Sequence, residues 1–485
     1  MYAMTSPSLA KCLGPGPDPL AVAAGWPPER PLAALISARG DSPLARWSIL
    51  STPEASRCLL DGEAATRQGL LETLDELVPT TPSVSKSSDP DSPPFLGGKI
   101  LILPYELGRA LEPKAGHPTR LGQETEPLAT VLSCPSALVH DRVRDQWWLV
   151  GQETGASELL TCLASATPPN PEPIECESLR ATPDDDAYGS MIERTIEYVH
   201  AGDIFQANIT RRFKAGISLP SPRDRRRFAT SLLERSGAWF GAIIETGFEE
   251  GGDRRTIISL SPELFLEVDP VQETVRTRPI KGTLPDGSKP EDLRGSEKDA
   301  AELAMIVDLM RNDLGRICVP GSVRVSEQRT IEHHPSVLHG VAEVTGRLMK
   351  DTSFGNLLES TFPPGSVSGA PKIRAMQVIE ELESTSRGIY CGALGFASNC
   401  GRMQLDVSIR TLDIRPSEDP GSGFTHELTY GAGGGIVAES TPEGEVAESR
   451  VKASLLNGFL DSHRRPASRE QTSGAERNAH EAIPG

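Results

Sequence analysis

The chain is short of the features that would place it outside a reducing cytosol. Its eight cysteines (Cys12, Cys58, Cys134, Cys162, Cys176, Cys318, Cys391 and Cys400) contain no C-x-x-C pair. That spacing fits neither a zinc site nor a disulfide framework and predicts reduced thiols. The N-terminus has no charged stretch followed by an apolar one, so no signal peptide is expected. No apolar run reaches the ~20 residues of a membrane span. Excess basic charge is also missing: 49 Lys and Arg stand against 67 Asp and Glu, a net charge of −18. That argues against nucleic acid or an anionic membrane as the main partner, and an anionic substrate would need local cations or a metal ion. The expected location is cytoplasmic.

What is present is ordinary for a globular protein. The 485 residues are 37% hydrophobic and 24% charged, enough for a large core and, on length, two or three domains. The 41 prolines and 45 glycines predict many loops. Residues 1–20 are rich in Pro and Gly and are expected to be flexible. Residues 21–165 form a first region with short strand-like runs such as Trp47-Ser48-Ile49-Leu50 and Trp147-Trp148-Leu149-Val150, interrupted by a Ser- and Pro-rich loop from Thr80 to Pro94. Residues 166–183 read as a proline-rich linker. Residues 184–462 alternate strands and helices. The polar tail, 463–485, is expected to be disordered. Mixed strand and helix signals point to an α/β or α+β fold.

Several stretches could carry chemistry. Thr274 to Arg278 alternates β-branched and charged residues, as a strand does, and Pro279 ends the ladder. Lys281 follows, before Gly282, on what reads as a turn. It is either a solvated loop lysine or, in a dry or cationic pocket, an amine with a lowered pKa that acts as a nucleophile. Ser296 to Arg316 is the clearest helix, with Leu303, Ile306, Val307, Met310 and Leu314 on one face and Ser296 as its cap. Asp299 and Glu302 lie on one side of its start. Glu445 and Glu448 lie in the early turns of a second helix that begins at Thr441-Pro442. Two such pairs either cap and complement their own helices or converge on a hard cation such as Mg²⁺.

Thr361 to Lys372 (TFPPGSVSGAPK) fails as a P-loop, because three residues separate Gly365 and Gly369 and Lys372 follows proline. It could form a nest of backbone donors for a carboxylate. Gly433, Gly435 and Ala438 match G-x-G-x-x-A, but Thr441-Pro442 follows too soon for a dinucleotide fold. A glycine turn that touches an anion is the expected reading. Arg410 ends a strand and could grip a carboxylate with both arms. A lone histidine such as His339 is more often a satisfied core histidine than a catalyst.

Taken in order, eight segments resemble the motifs of the chorismate-utilising enzymes over residues 184–460. They are GDIFQANITRRF (Gly202 to Phe213), SPELF (Ser261 to Phe265), RPIKGT (Arg278 to Thr283), AELAMIVDLMRNDLGRI (Ala301 to Ile317), TFPPGSVSGAPKIRAM (Thr361 to Met376), YCGALGF (Tyr390 to Phe396), LDVSIRT (Leu405 to Thr411) and GAGGGIV (Gly431 to Val437). FLGGKILILPYELGRALE (Phe95 to Glu112) adds a fainter match. The resemblance implies a two-lobed, anthranilate-synthase-like fold of the α/β (α+β) class, with an antiparallel β-sandwich core and helices outside.

The resemblance also implies roles. Mg²⁺ is expected on Glu302 and Glu448, with Asp299 and Glu445 acting directly or through water. Arg410, Tyr390, Thr283, Gln206, Lys372 and the backbone near Gly433 and Gly435 would bind and orient chorismate. Glu263 would protonate the leaving C4 hydroxyl. Lys281 would attack the ring at C2 and form a covalent adduct, and ammonia would then enter at C4 and displace the lysine from C2. His339 would lie beside the ring. Family members that form anthranilate usually carry alanine in place of Lys281, and those that use water usually carry lysine in place of Gln206. The pair therefore favours amination without loss of pyruvate, with anthranilate formation and an idle chorismate-binding subunit as alternatives. Nothing resembles a glutaminase cysteine with its His and Glu, so ammonia is expected from a glutamine amidotransferase subunit or from solution. No lyase domain is expected after Leu460, so the product is expected to keep its enolpyruvyl group. Two departures from the family pattern are Lys99 to Ile102, where more glycine is usual, and Leu303, where a histidine often follows the metal-ligand glutamate.

Overall fold

The computed structural model describes residues 9–465 apart from 39–41, 61–65, 80–81, 83, 85–88, 90, 117–125, 248–253, 286, 335–336 and 420. Two antiparallel sheets dominate it. The 12-stranded sheet runs Leu9–Gly14, Gln146–Gly151, Ser136–Asp141, Trp47–Ser51, Ala33–Ile36, Phe240–Thr246, Arg255–Ser261, Thr411–Pro416, His426–Ile436, Gln206–Ile217 and Gly369–Ala370, with Arg180–Thr182 paired to Gln206–Ile217. The 10-stranded sheet runs Ile280–Pro285, Val337–Arg347, Thr274–Arg278, Leu264–Asp269, Met403–Asp406, Ala393–Ser398, Gly98–Leu103, Ala129–Cys134 and Ala55–Leu59, with Arg324–His334 paired to Val337–Arg347.

The sheets pack face to face through an apolar layer. Ile49, Val139, Ile244 and Ile257 from one sheet meet Ile100, Leu132, Leu394 and Phe396 from the other. Burial on both faces explains why Gly98–Leu103 reads as an unbroken apolar run rather than an alternating one. The Lys99 amine within it is kept by the Ser133 hydroxyl at 2.7 Å. Helices cover the outer faces. Leu232, Leu233, Leu456 and Phe459 of Pro222–Ser236 and Pro442–His463 pack on the large sheet. Ile306, Met310, Leu358 and Ile379 of Glu297–Gly315, Phe354–Thr361 and Lys372–Leu382 pack on the other core. The expected α/β class with a β-sandwich core and outer helices is what the chain forms.

Some expectations need correction. Leu9–Gly14 is not loose: it is an edge strand paired with Gln146–Gly151, and Pro19–Gly25 is a helix capped by Asp18. A strand offers its neighbour a complete ladder, and that outweighs the turn-prone composition. The 166–183 segment does not separate two domains in space, because both sheets take strands from either side of it. It even contributes Arg180–Thr182 to a sheet. Of the expected tail, 463–485, His463 still belongs to the helix Pro442–His463, and the part from 466 onward lies outside the described residues. So does most of the Thr80 to Pro94 loop.

Candidate active site

Lys281 is not on a turn. Ile280–Pro285 continues as a strand against Val337–Arg347, and the pairing slips between Ile280 and Thr283. The slip is a β-bulge at Lys281-Gly282, with Gly282 at φ 84°, a backbone region that costs glycine least. The bulge aims the lysine away from the ladder. Its Nζ lies 3.6 Å from Glu302 Oε2. A Cβ added at Gly435 would stand 2.8 Å from that Nζ and 2.7 Å from Gln206 Nε2. The lysine amine and the glutamine amide are therefore neighbours over Gly435. Gln206 is fully buried, and neither its Oε1 nor its Nε2 has a hydrogen-bond partner. A buried amide left this way costs free energy unless something else satisfies it.

The glycine segment also differs from expectation. His426–Ile436 is a strand, with Gly433 opposite Thr210 and Gly435 opposite Asn208, rather than an anion-binding turn. Its glycines make room for other side chains. A Cβ at Gly434 would fall 2.6 Å from Glu445 Oε2 and 3.5 Å from Glu448 Oε1, and one at Gly431 would fall 2.2 Å from the Tyr390 ring.

Glu263 is buried beside this amine. Burial raises its pKa to about 7, against the opposing effects of the Ser366 hydroxyl, the Lys281 charge and the Ile280 N–H. It can hold a proton near neutrality, as a general acid must. His339 sits opposite Thr283 in the ladder, and its Nδ1 is 2.9 Å from Thr283 Oγ1. Burial, then the charges of Arg410 and His334, push its pKa well below the usual value, so the ring is neutral. Its Nε2 has no partner. Arg410 is held at φ 51°, and its guanidinium makes no hydrogen bond or ion pair among the described residues. These groups form one cluster with unpaired polar atoms.

The four acidic residues come from the first two turns of two helices, as expected from the sequence. Ser296 accepts the Asp299 N–H at 3.2 Å, and Thr441 accepts the Gly444 N–H at 3.2 Å. Asp299 lies against Gly282, where an added Cβ would be 3.0 Å from its Cγ. Glu302 faces Lys281 and, at 3.9 Å, Lys298. Glu448 is paired with Lys452 at 2.7 Å, which holds its carboxyl below the usual range despite burial. Burial, and the neighbouring Glu448 charge, raise that of Glu445, whose Oε1 accepts from Ser440 at 2.7 Å. The donor set is all carboxylate oxygen, the chemistry Mg²⁺ selects. Among the described residues no three of these groups meet at one point; lysines face the oxygens of Glu302 and Glu448 instead.

Lys372 is a correction. Its amine donates to Asp313 Oδ2 at 2.6 Å and to the Thr361 carbonyl at 2.8 Å, so it braces the helix Glu297–Gly315 instead of facing the cluster. Three participants escaped the sequence reading: Ser366, Lys298 and Lys452. Lys452 carried a signal, since it follows Glu448 by four residues on one helix.

The chain resembles known proteins over most of its length. Residues 41–458 match the family of chorismate binding enzymes. Aminodeoxychorismate synthase component 1 of Klebsiella aerogenes is 36% identical over 377 residues, 76% of this chain and 78% of that protein. Anthranilate synthase component 1 of Synechocystis sp. is 31% identical over 478 residues, 89% of this chain and 90% of that one. The crystal structure of anthranilate synthase component I from Streptococcus pneumoniae superposes with a TM-score of 0.69 at 28% identity, over 86% of this chain and 93% of that one. The chain belongs to the chorismate-binding enzyme family.

Proposed function

We propose that the chain is an aminodeoxychorismate synthase component I, which aminates chorismate at C4 and keeps the enolpyruvyl group. The observation that carries this reading is the Lys281 amine beside the Gln206 amide over Gly435, with the buried carboxyl of Glu263 close by. Lys281 adds to C2, the ring double bonds shift, and the C4–O bond breaks. Glu263 gives its proton to the departing oxygen, and water leaves. Ammonia then attacks C4, the double bonds shift back, and the C2–N bond breaks to restore Lys281. Arg410 holds a substrate carboxylate with its free fork. Tyr390 and Thr283 orient the ring. His339, neutral, offers its Nε2 to the ring from Thr283's side.

Glu302 and Glu448 are the residues that would hold Mg²⁺, with Asp299 and Glu445 behind them. When bound, the ion supplies positive charge for the carboxylates that a chain of net charge −18 otherwise repels. Lys281, Lys298 and Lys452 occupy those oxygens here. The ammonia source would be a glutamine amidotransferase subunit.

Formation of anthranilate is the second reading, favoured by the extent of the Synechocystis match. The test is to incubate the protein with chorismate, Mg²⁺ and ammonium and to identify the product by mass. The expected product is 4-amino-4-deoxychorismate, with loss of turnover on chelation and none from glutamine alone. A fluorescent product with the mass of anthranilate would select the second reading.

A further inference from the structure

One buried cation outside the reacting groups ties together the segments that carry them. Arg387 lies in the loop before Tyr390 and is 5% exposed. Its Nε donates to Glu383 Oε2 at 2.8 Å and its Nη2 to Glu383 Oε1 at 2.7 Å. Its Nη1 donates to the Val367 carbonyl at 2.8 Å, and its Nη2 also reaches the Asn208 carbonyl. Asn208 is two residues beyond Gln206 on one strand, so their side chains share a face. Val367 follows Ser366, the residue that bonds Glu263. Glu383 fixes the same strand again, accepting the N–H and the hydroxyl of Thr210, both at 2.9 Å.

The loop is gripped from the N-terminal half of the chain. Glu106, 4% exposed, accepts the N–H of Arg387 on one carboxylate oxygen at 2.7 Å and the N–H of Gly388 on the other at 3.0 Å. The Tyr105 N–H donates to the Gly388 carbonyl at 2.8 Å, and its ring stacks under the guanidinium, 4.4 Å from centroid to Cζ.

We propose that Arg387 is a positioning residue for the candidate site: its guanidinium sets the register of the Gln206 strand, the Ser366 loop and the Tyr390 loop, and Glu106 holds it in place. The inference rests on the chorismate-aminating reading for its kinetic arm only. A planar fork can bond three segments at fixed angles, whereas an ammonium cannot. A displacement of about 1 Å in such a frame costs on the order of 10²-fold in rate.

The experiment compares Arg387→Lys with Arg226→Lys, the same exchange at a buried arginine remote from the cluster. Both variants are expected to melt earlier. Arg387→Lys should lose on the order of 10²-fold in kcat with little change in KM for chorismate, whereas Arg226→Lys should keep wild-type kcat per folded molecule. Backbone hydrogen exchange over 206–210 and 366–370 should quicken in Arg387→Lys alone. If the two variants lose activity in parallel, or exchange in those segments is unchanged, the proposal is overturned. If the wild-type protein does not convert chorismate, the functional reading fails, while the exchange comparison still decides whether Arg387 holds the three segments. Should Arg387→Lys not fold, Glu106→Gln takes its place. It leaves one amide oxygen for two N–H groups, and the same exchange pattern with about a tenfold loss of kcat is expected. Wild-type exchange and rate in that variant would overturn the proposal equally.

Discussion

Around Arg226 every donor of a buried guanidinium is taken by the protein, whereas around Lys281 polar atoms are buried without protein partners. Arg226 Nε and Nη2 donate to the two oxygens of Glu245 at 2.8 Å each, Nη1 to the carbonyls of Trp26 and Pro27 at 2.6 and 3.0 Å, and Nη2 to that of Arg30 at 2.6 Å. Glu245 also accepts the Leu32 N–H at 3.1 Å. In the site, both atoms of the Gln206 amide and His339 Nε2 make no such bond. The first arrangement anchors the helix Pro222–Ser236 to the N-terminal segment and can do nothing else. The second leaves desolvated donors and acceptors that the described residues do not satisfy. The difference teaches that burial of polar groups has two uses here, and their hydrogen-bond accounts tell them apart.

The largest expected effect is on chemistry. Glu263→Gln should lower the rate of chorismate amination by about 10²–10⁴-fold, the usual worth of a general acid, while leaving the melting temperature near that of the wild type. In the wild type the acid must be protonated. With free ammonia held saturating, kcat should therefore fall as pH rises through the Glu263 pKa of about 7. The glutamine variant should lack that limb. A pH-independent rate from pH 6 to 9 in the wild type, roughly spanning the titration of such a group, would separate Glu263 from the proton transfer.

Next comes stability. Arg226→Met removes one partner of a pair whose side chains are both inaccessible to solvent and leaves Glu245 buried with only Arg254 opposite, at 3.1 Å. A loss of about 3–5 kcal/mol is expected in denaturant unfolding, with activity per folded molecule unchanged. The smallest effect on folding sharpens the contrast. Gln206→Leu removes an amide that no protein group pairs with, so stability should stay within about 1 kcal/mol of the wild type or rise, although amination is lost. A large loss of stability from Gln206→Leu would mean that the amide is bonded within the fold, and the comparison would collapse.

Some of this was legible from residues alone. The helix Glu297–Gly315 and its Ser296 cap follow from a 3.6-residue apolar period and a capping serine. The acidic early turns that carry Asp299, Glu302, Glu445 and Glu448 are local features too. The bulge at Lys281 was not legible, because it exists only in the pairing with Val337–Arg347, 56 residues away for Thr283 and His339. Gly433 and Gly435 read as a turn because glycine usually punctuates; here the missing Cβ at Gly435 admits the Gln206 and Lys281 side chains, and at Gly433 the backbone of Ile209 and Thr210 comes close. Lys372 looked available because its acceptor, Asp313, lies 59 residues earlier. In each case the deciding contact was nonlocal, and no period or spacing encodes such a contact.

The central claim is that Lys281 is a nucleophile and not a cation that merely attracts a carboxylate. Its most direct test is the mass of the peptide containing Lys281 after the protein has been incubated with chorismate and Mg²⁺ without ammonia. The account predicts a covalent adduct on Lys281 with the mass of chorismate less water, absent in Lys281→Ala and in Lys281→Arg, whose guanidinium stays protonated. An unmodified Lys281 together with a Lys281→Arg variant that keeps most of its amination rate would contradict it.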